Sequence, residues 1–145
     1  MHKRITYNKL RGIIQKKGKK TFSYFLLYSC FLFIKKTFRL NPFFIFKKAL
    51  ENVTPPFDLI RIRKGSQTFY SVKLASIQKR TGYALHWLIN FSKNSDQKFF
   101  QKIAIETYLS ATKRGKAYEK KIDLLKKAEF NKTFLHYAYS TTTKV

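Results

Sequence analysis

The sequence predicts a mainly α-helical single domain interrupted by one β-hairpin. Apolar residues recur at helical spacing along most of the chain, and that period gives way to a strand-like one between Phe57 and Leu74. With 145 residues, 44% of them apolar and including 15 Phe and 9 Tyr, the chain can bury one core and is no disordered basic tail.

The elements follow in chain order. Residues 1–20 form a basic arm without a single acid. Phe22 to Ile34, FSYFLLYSCFLFI, is a continuous apolar run between Lys19, Lys20 and Lys35, Lys36. It falls short of the roughly 20 apolar residues of a membrane span and predicts a buried core helix. Asn41-Pro42 starts the next helix, because Asn can cap free N–H groups and Pro at the first helical position loses no donor that the helix needs. That helix is expected to reach Val53, with Phe43, Phe46, Leu50 and Val53 buried, Lys47 and Lys48 facing outward, and Pro55-Pro56 ending it.

Leu59, Ile60 and Ile62, then Phe69, Tyr70 and Val72, flank a Lys64-Gly65-Ser66 break and predict a hairpin over about 57–74. Arg61 and Arg63, two residues apart, belong to one face of its first strand. Helices over about 76–92 and 96–112 follow, with Ser95 as an N-cap candidate in the polar link between them. Leu85, Leu88 and Ile89 in one and Phe100, Ile103, Ala104 and Tyr108 in the other are core candidates. Trp87, beside Leu85 and Leu88, is read as core rather than as a base-stacking platform. Lys113-Arg114-Gly115 is expected to close the second of these helices, with Gly115 as a left-handed cap. A last helix over about 115–137 carries Ala117, Leu124, Ala128 and Leu135 on one stripe, widened by Tyr118, Ile122 and Leu125. Lys116, Lys120, Lys121, Lys126, Lys127 and Lys132 occupy much of the remainder.

Charge narrows the function. Thirty-one Lys and Arg against seven Asp and Glu leave a formal charge of +24, and the first acid is Glu51. Self-repulsion on that scale points to a polyanionic partner, nucleic acid first. Cys30 is the single cysteine, which excludes an internal disulfide and a thiolate zinc cluster and suits a buried thiol. His2, His86 and His136 have no carboxylates at ligand spacing, so no metal and no cofactor is assigned. No nucleophile elbow, P-loop or zinc-protease pattern occurs, and the seven separated acids offer no acid and base pair, so no enzyme is expected.

In this order the segments resemble ribosomal protein S-seven of the small subunit, of the bacterial and organellar type. Gly18-Lys19-Lys20 is similar to that family's first-loop motif, and Asn41-Pro42 with Ala49-Leu50-Glu51-Asn52-Val53 and Pro55 to its third helix. Arg61, Arg63 and Gly65 stand where its hairpin arginines and turn glycine lie, and Arg80, Ala84 and Trp87-Leu88 follow its fourth helix. Gly115, Ala117, Lys120, Lys121, Asp123, Ala128-Glu129, Asn131-Lys132, Phe134 and His136-Tyr137 match its last helix. The chain departs from the pattern at His86, where arginine is usual, at Lys73, where proline is common, at the single turn glycine, and at Ala138 before Tyr139.

The resemblance implies about six helices, with a hairpin protruding between the third and fourth, and no catalysis. It implies direct binding to the 3′ major domain of small-subunit rRNA and help in nucleating head assembly. It also implies exit-site tRNA and mRNA nearby, and other head and platform ribosomal proteins as partners. Neither a membrane anchor nor a homo-oligomer is expected.

RNA recognition would rest on phosphate and 2′-hydroxyl contacts, because the A-form major groove is too narrow to read. The candidates are Arg11, Lys16, Lys17, Lys19 and Lys20 at the amino end, Arg61, Arg63, Lys64 and Lys73 on the ribbon, and Lys79 and Arg80 at the opening of the next helix. Arginine carries the sharper expectation, since its guanidinium can clamp a phosphate at two points. Lys113, Arg114 and Lys116 are candidates for contact with tRNA or a neighbouring protein, and His136-Tyr137 for docking the last helix.

Two rival classes stand beside this: a membrane-associated basic protein built on the apolar run, and an RNA binder independent of the ribosome. A nucleic-acid enzyme fares worse for want of a carboxylate cluster to hold magnesium. The excess of Lys, Phe, Ile, Tyr and Asn fits an AT-rich genome and suggests a mitochondrial ribosome, with a plastid ribosome as the alternative. The small room before the family match suggests synthesis inside the organelle.

Overall fold

Two consecutive left-handed residues, Lys17 (φ 50°) and Gly18 (φ 73°), turn the chain between its first two helices. Glycine adopts this region without steric cost and lysine does not, so the reversal depends on Gly18. The computed structural model describes residues 2–93 and 98–134. Six α-helices and one antiparallel two-stranded ribbon make up these residues. They are α1 (His2–Ile14), α2 (Lys20–Phe38), α3 (Pro42–Val53), β1 (Phe57–Lys64), β2 (Gln67–Leu74), α4 (Ile77–Lys93), α5 (Phe99–Ala111) and α6 (Lys116–Phe130), with a 3₁₀ turn at Lys132–Phe134. The mainly α fold, with its ribbon between α3 and α4, is the one the sequence predicts.

Helix α5 is the centre of the packing, touching α2, α3, α4 and α6. Around it Leu27, Ile34, Val53, Leu85 and Ala104 are wholly buried. Phe38 of α2 stacks on Tyr108 of α5, ring centroids 3.9 Å apart and planes 8° from parallel. Asn52 near the end of α3 donates its side-chain N–H groups to the carbonyls of Ser110 (3.1 Å) and Ala111 (2.9 Å), adding a donor to each of two carbonyls in the last turn of α5. Lys121 of α6 donates in turn to the Asn52 carbonyl at 2.6 Å, so one residue ties three helices.

Several local expectations are corrected. Phe22 to Ile34 lies in α2 as predicted, yet only Ser23, Leu27, Cys30 and Ile34 of that run are buried, while Phe22, Tyr24, Phe25 and Tyr28 are exposed. A run apolar on every side has no period from which to read which side is covered. In α3 the Asn41 cap is confirmed, its side chain accepting from the Phe43 N–H at 3.1 Å. The buried stripe, however, is Ile45, Ala49, Leu50 and Val53, and Phe43 is exposed. Both phasings satisfy helical spacing, and the small Ala49 permits the close approach to α5 that a bulkier residue would block.

Helix α5 runs from Phe99 to Ala111 with Lys98 at its N-cap; Ser95 and Asp96 lie outside the described residues. Its far end is closed by Lys113, not Gly115. Lys113 takes the left-handed conformation (φ 63°) while Gly115 is extended (φ −81°, ψ 154°) and stands at the N-cap of α6. The α-helix of the last segment stops at Phe130. Asn131 donates its side-chain N–H to the Lys127 carbonyl at 2.7 Å, and the chain tightens into the 3₁₀ turn, which packs on β2. Leu135, His136, Tyr137, Ala138 and Tyr139 lie outside the described residues. Trp87 is half-buried against the core, beside Tyr83, in keeping with the packing role read for it.

Candidate nucleic-acid interface

Five side chains join the ribbon and the middle of α1 to the start of α4. Asp58 near the start of β1 accepts from Lys79 (2.5 Å) and from the Tyr83 hydroxyl (3.0 Å), which holds the base of the ribbon against α4. Arg80 donates from its guanidinium to the Pro56 carbonyl at 3.3 Å, fastening the chain just before β1. Lys9 of α1 donates to the Gln78 carbonyl at 2.6 Å. One helical turn, residues 77–80, thus organises the meeting of α1 and the ribbon.

The register of the ribbon sorts its cations. Arg61 pairs with Tyr70 and Arg63 with Thr68, so both arginines share a face with Tyr70. Lys73 pairs with Asp58, which puts it in register on the opposite face, and Lys64 pairs with Gln67 next to the turn. The ribbon therefore carries cations on both faces. Strands β1 and β2 are joined by a two-residue turn whose first residue, Gly65, has φ 62°, the position at which tight hairpins favour glycine.

At the amino end, Lys16, Lys17, Lys19 and Lys20 are all exposed around the α1–α2 turn, and Arg11 is half-buried on α1. The turn lies roughly 10 Å along α1 from the Lys9 contact, at 1.5 Å per residue. Arg61, Arg63 and Lys73 are exposed on the ribbon, and Lys113, Arg114 and Lys116 between α5 and α6.

Two of the candidate cations are engaged within the fold. Lys79 is exposed, but its charge is held by Asp58, and the hydrogen bond to that carboxylate pushes its pKa above the ordinary lysine value. It is first a structural residue of the ribbon's base. Arg80 is half-buried, and its Nε is buried with no hydrogen-bond partner.

Arg80 lines a cleft of about 650 Å³ between α3, α4 and α6, together with Lys47, Glu51, Pro56 and Lys121. Lys121 was not among the sequence candidates. Burial first, and then the nearby Lys113 charge, push its pKa below the ordinary lysine value. The sequence held a signal for this: Lys121 follows Tyr118 by three residues and precedes Leu125 by four, at the edge of the apolar stripe, where a lysine stem is covered.

Acids do little to neutralise the described surface. Glu51, Asp58 and Glu129 make ion pairs with Lys47, Lys79 and Lys132. Glu106 is buried and accepts from the Ala117 N–H at 2.9 Å, serving the free N-terminus of α6. The exposed cations of the α1–α2 turn, the β1–β2 ribbon and the α5–α6 loop have no carboxylate within 4 Å among the described residues. Cys30 is buried, and burial pushes its thiol up to about 12. No helix among the described residues is long and apolar enough to cross a membrane.

Residues 1–132 match the family model described as Ribosomal protein S7p/S5e. The chain is 38% identical over 128 residues to small ribosomal subunit protein uS7 of Rickettsia massiliae (strain Mtu5), covering 86% of this chain and 79% of that protein. It is 35% identical over 127 residues to small ribosomal subunit protein uS7 of Anaeromyxobacter sp. (strain Fw109-5), covering 87% and 81% respectively. The chain belongs to the ribosomal protein S7p/S5e family, a family of structural proteins rather than enzymes.

Proposed function

We propose that this chain is a structural constituent of the small ribosomal subunit that binds the subunit's rRNA directly. The observation that carries the reading is the set of exposed cations without carboxylate partners on the α1–α2 turn and the ribbon, in a chain of this family. Phosphates supply the missing counter-charge. Arg61 and Arg63 grip along one ribbon face and Lys73 along the other, Lys64 adds a cation next to the turn, and Arg11, Lys16, Lys17, Lys19 and Lys20 extend the contact from the body. Arg80 and Lys79 serve chiefly to set the ribbon's angle against α4, with the outer side of the Arg80 guanidinium left for RNA.

The target is the 3′ major domain of the small-subunit rRNA, where the protein helps nucleate the head. Lys113, Arg114 and Lys116 face tRNA or a neighbouring protein, and the ribbon lies near the exit-site tRNA and the mRNA. The reading extends to a mitochondrial ribosome, on the composition given above.

Replacing Arg61 and Arg63 together by Ala tests the ribbon's part. Binding to a 3′-domain rRNA fragment should weaken, and the slope of log affinity against log salt should flatten by about two units, close to one per lost phosphate contact. An unchanged affinity and slope would take the ribbon out of the interface.

A further inference from the structure

Helix α2 turns an apolar face to water. Its inner side is buried through Leu27, Cys30 and Ile34, and its outer side presents Phe22 (63% exposed), Phe25 (67%), Tyr28 (52%) and Leu32 (38%). Phe43, 64% exposed at the start of α3, extends this surface, because its ring lies 5.2 Å from Phe31 of α2. Aromatic side chains present about 150–250 Å² each, so these five residues expose roughly 500 Å². That is at the upper end of the patches free monomers show, and well over half of the roughly 800 Å² that one side of a standard interface buries.

The surroundings of the patch say what covers it. Lys20 stands at the start of α2 and Lys35 and Lys36 near its end, all exposed, with no carboxylate within 4 Å among the described residues. An apolar centre between unpaired cations complements a protein surface with an apolar centre and an acidic rim. A nucleic-acid backbone would lose hydration against Phe25 and Leu32 and gain no donor there. A second copy would bring together two surfaces of a chain with formal charge +24. A lipid surface needs only one helix face, whereas this patch spans two helices joined by the Phe31–Phe43 contact, a shape that packing fixes.

We infer that the outer face of α2, with Phe43, docks a second protein of the same subunit through an apolar segment edged by acidic residues. This rests on the ribosomal reading for where the partner resides.

The test places a photo-reactive benzophenone amino acid at position 25 of the chain in native small subunits, and maps what it captures. Separately, subunits are assembled with Phe25→Glu plus Leu32→Glu, and with the uncharged pair Phe25→Ser plus Leu32→Gln, which guards against misfolding by charge. The expected result is a crosslink to one subunit protein, at an apolar segment flanked by Asp or Glu. Both double variants should also lose that protein by more than about tenfold, as removal of two buried anchors implies, while rRNA affinity is unchanged. Capture of RNA, lipid or a second copy, absence of any crosslink, or an undiminished partner in either variant would overturn the inference. In each of those cases wild-type co-sedimentation with rRNA would persist, whereas failure of the ribosomal reading itself would abolish it.

Discussion

At Gly115 a single methyl group decides whether α5 and α6 can meet. A Cβ there would stand 2.5 Å from the Ser110 hydroxyl oxygen, 2.8 Å from the Glu106 carboxylate and 2.9 Å from the Ser110 backbone nitrogen. Those atoms cannot simply move aside, because Glu106 is buried and holds the Ala117 N–H. Gly115→Ala should therefore destabilise the fold by about 1–3 kcal/mol, the range of overpacked interiors, read as a lowered denaturant midpoint. Gly12→Ala is the control: nothing lies within 4 Å of a Cβ at that position, and stability should hold or rise slightly. The sequence marks Gly115 as a helix boundary but not the reason for the glycine. The reason is a contact with residues five and nine positions earlier, which no local rule for helix ends contains. The same holds for Asn52, whose two carbonyl partners are brought to it only by the packing of α3 on α5.

Among the elements, the ribbon was the most legible and α2 the least. Period-two spacing and one glycine located β1, β2 and their turn, and the one-face relation of Arg61 and Arg63 followed from strand geometry alone. What fastens the ribbon was not legible, since Asp58 lies 21 positions from Lys79 and 25 from Tyr83. Removing that acid should loosen the element without touching the core. Asp58→Ala is expected to speed amide exchange through β1 and β2 while the amides of α5 keep their protection, as a sub-global opening requires. Equal acceleration in α5 would mean that the Asp58 cluster supports the whole fold. Helix α2 was hard to read for the opposite reason. Its apolar residues run around the full circumference, so the pattern gave existence and type but not which face is covered. A similar ambiguity of phase moved the buried stripe of α3 from Phe43 to Ile45 and Ala49.

For the molecule as a whole, the dominating fact is an imbalance of charge that the fold does not resolve. Of the seven acids, three make ion pairs with Lys47, Lys79 and Lys132 and one, Glu106 of α5, is buried against the start of α6. The remainder are too few to offset 31 cations, so the free chain is under strong self-repulsion that a polyanion relieves. That much, and the family, could be read from the sequence, because both rest on composition and local motifs. Which cations the fold itself engages could not. Lys79 and Arg80 look like their exposed neighbours until Asp58 and Pro56 are brought against them. Whether this chain is an rRNA-bound constituent of the small subunit is answered by sedimentation of the native protein from a mild detergent lysate at low and moderate salt, with sequencing of the RNA that travels with it. Co-sedimentation with small-subunit rRNA that survives moderate salt is expected; recovery in membranes, or in particles free of that RNA, would overturn the rRNA-bound role.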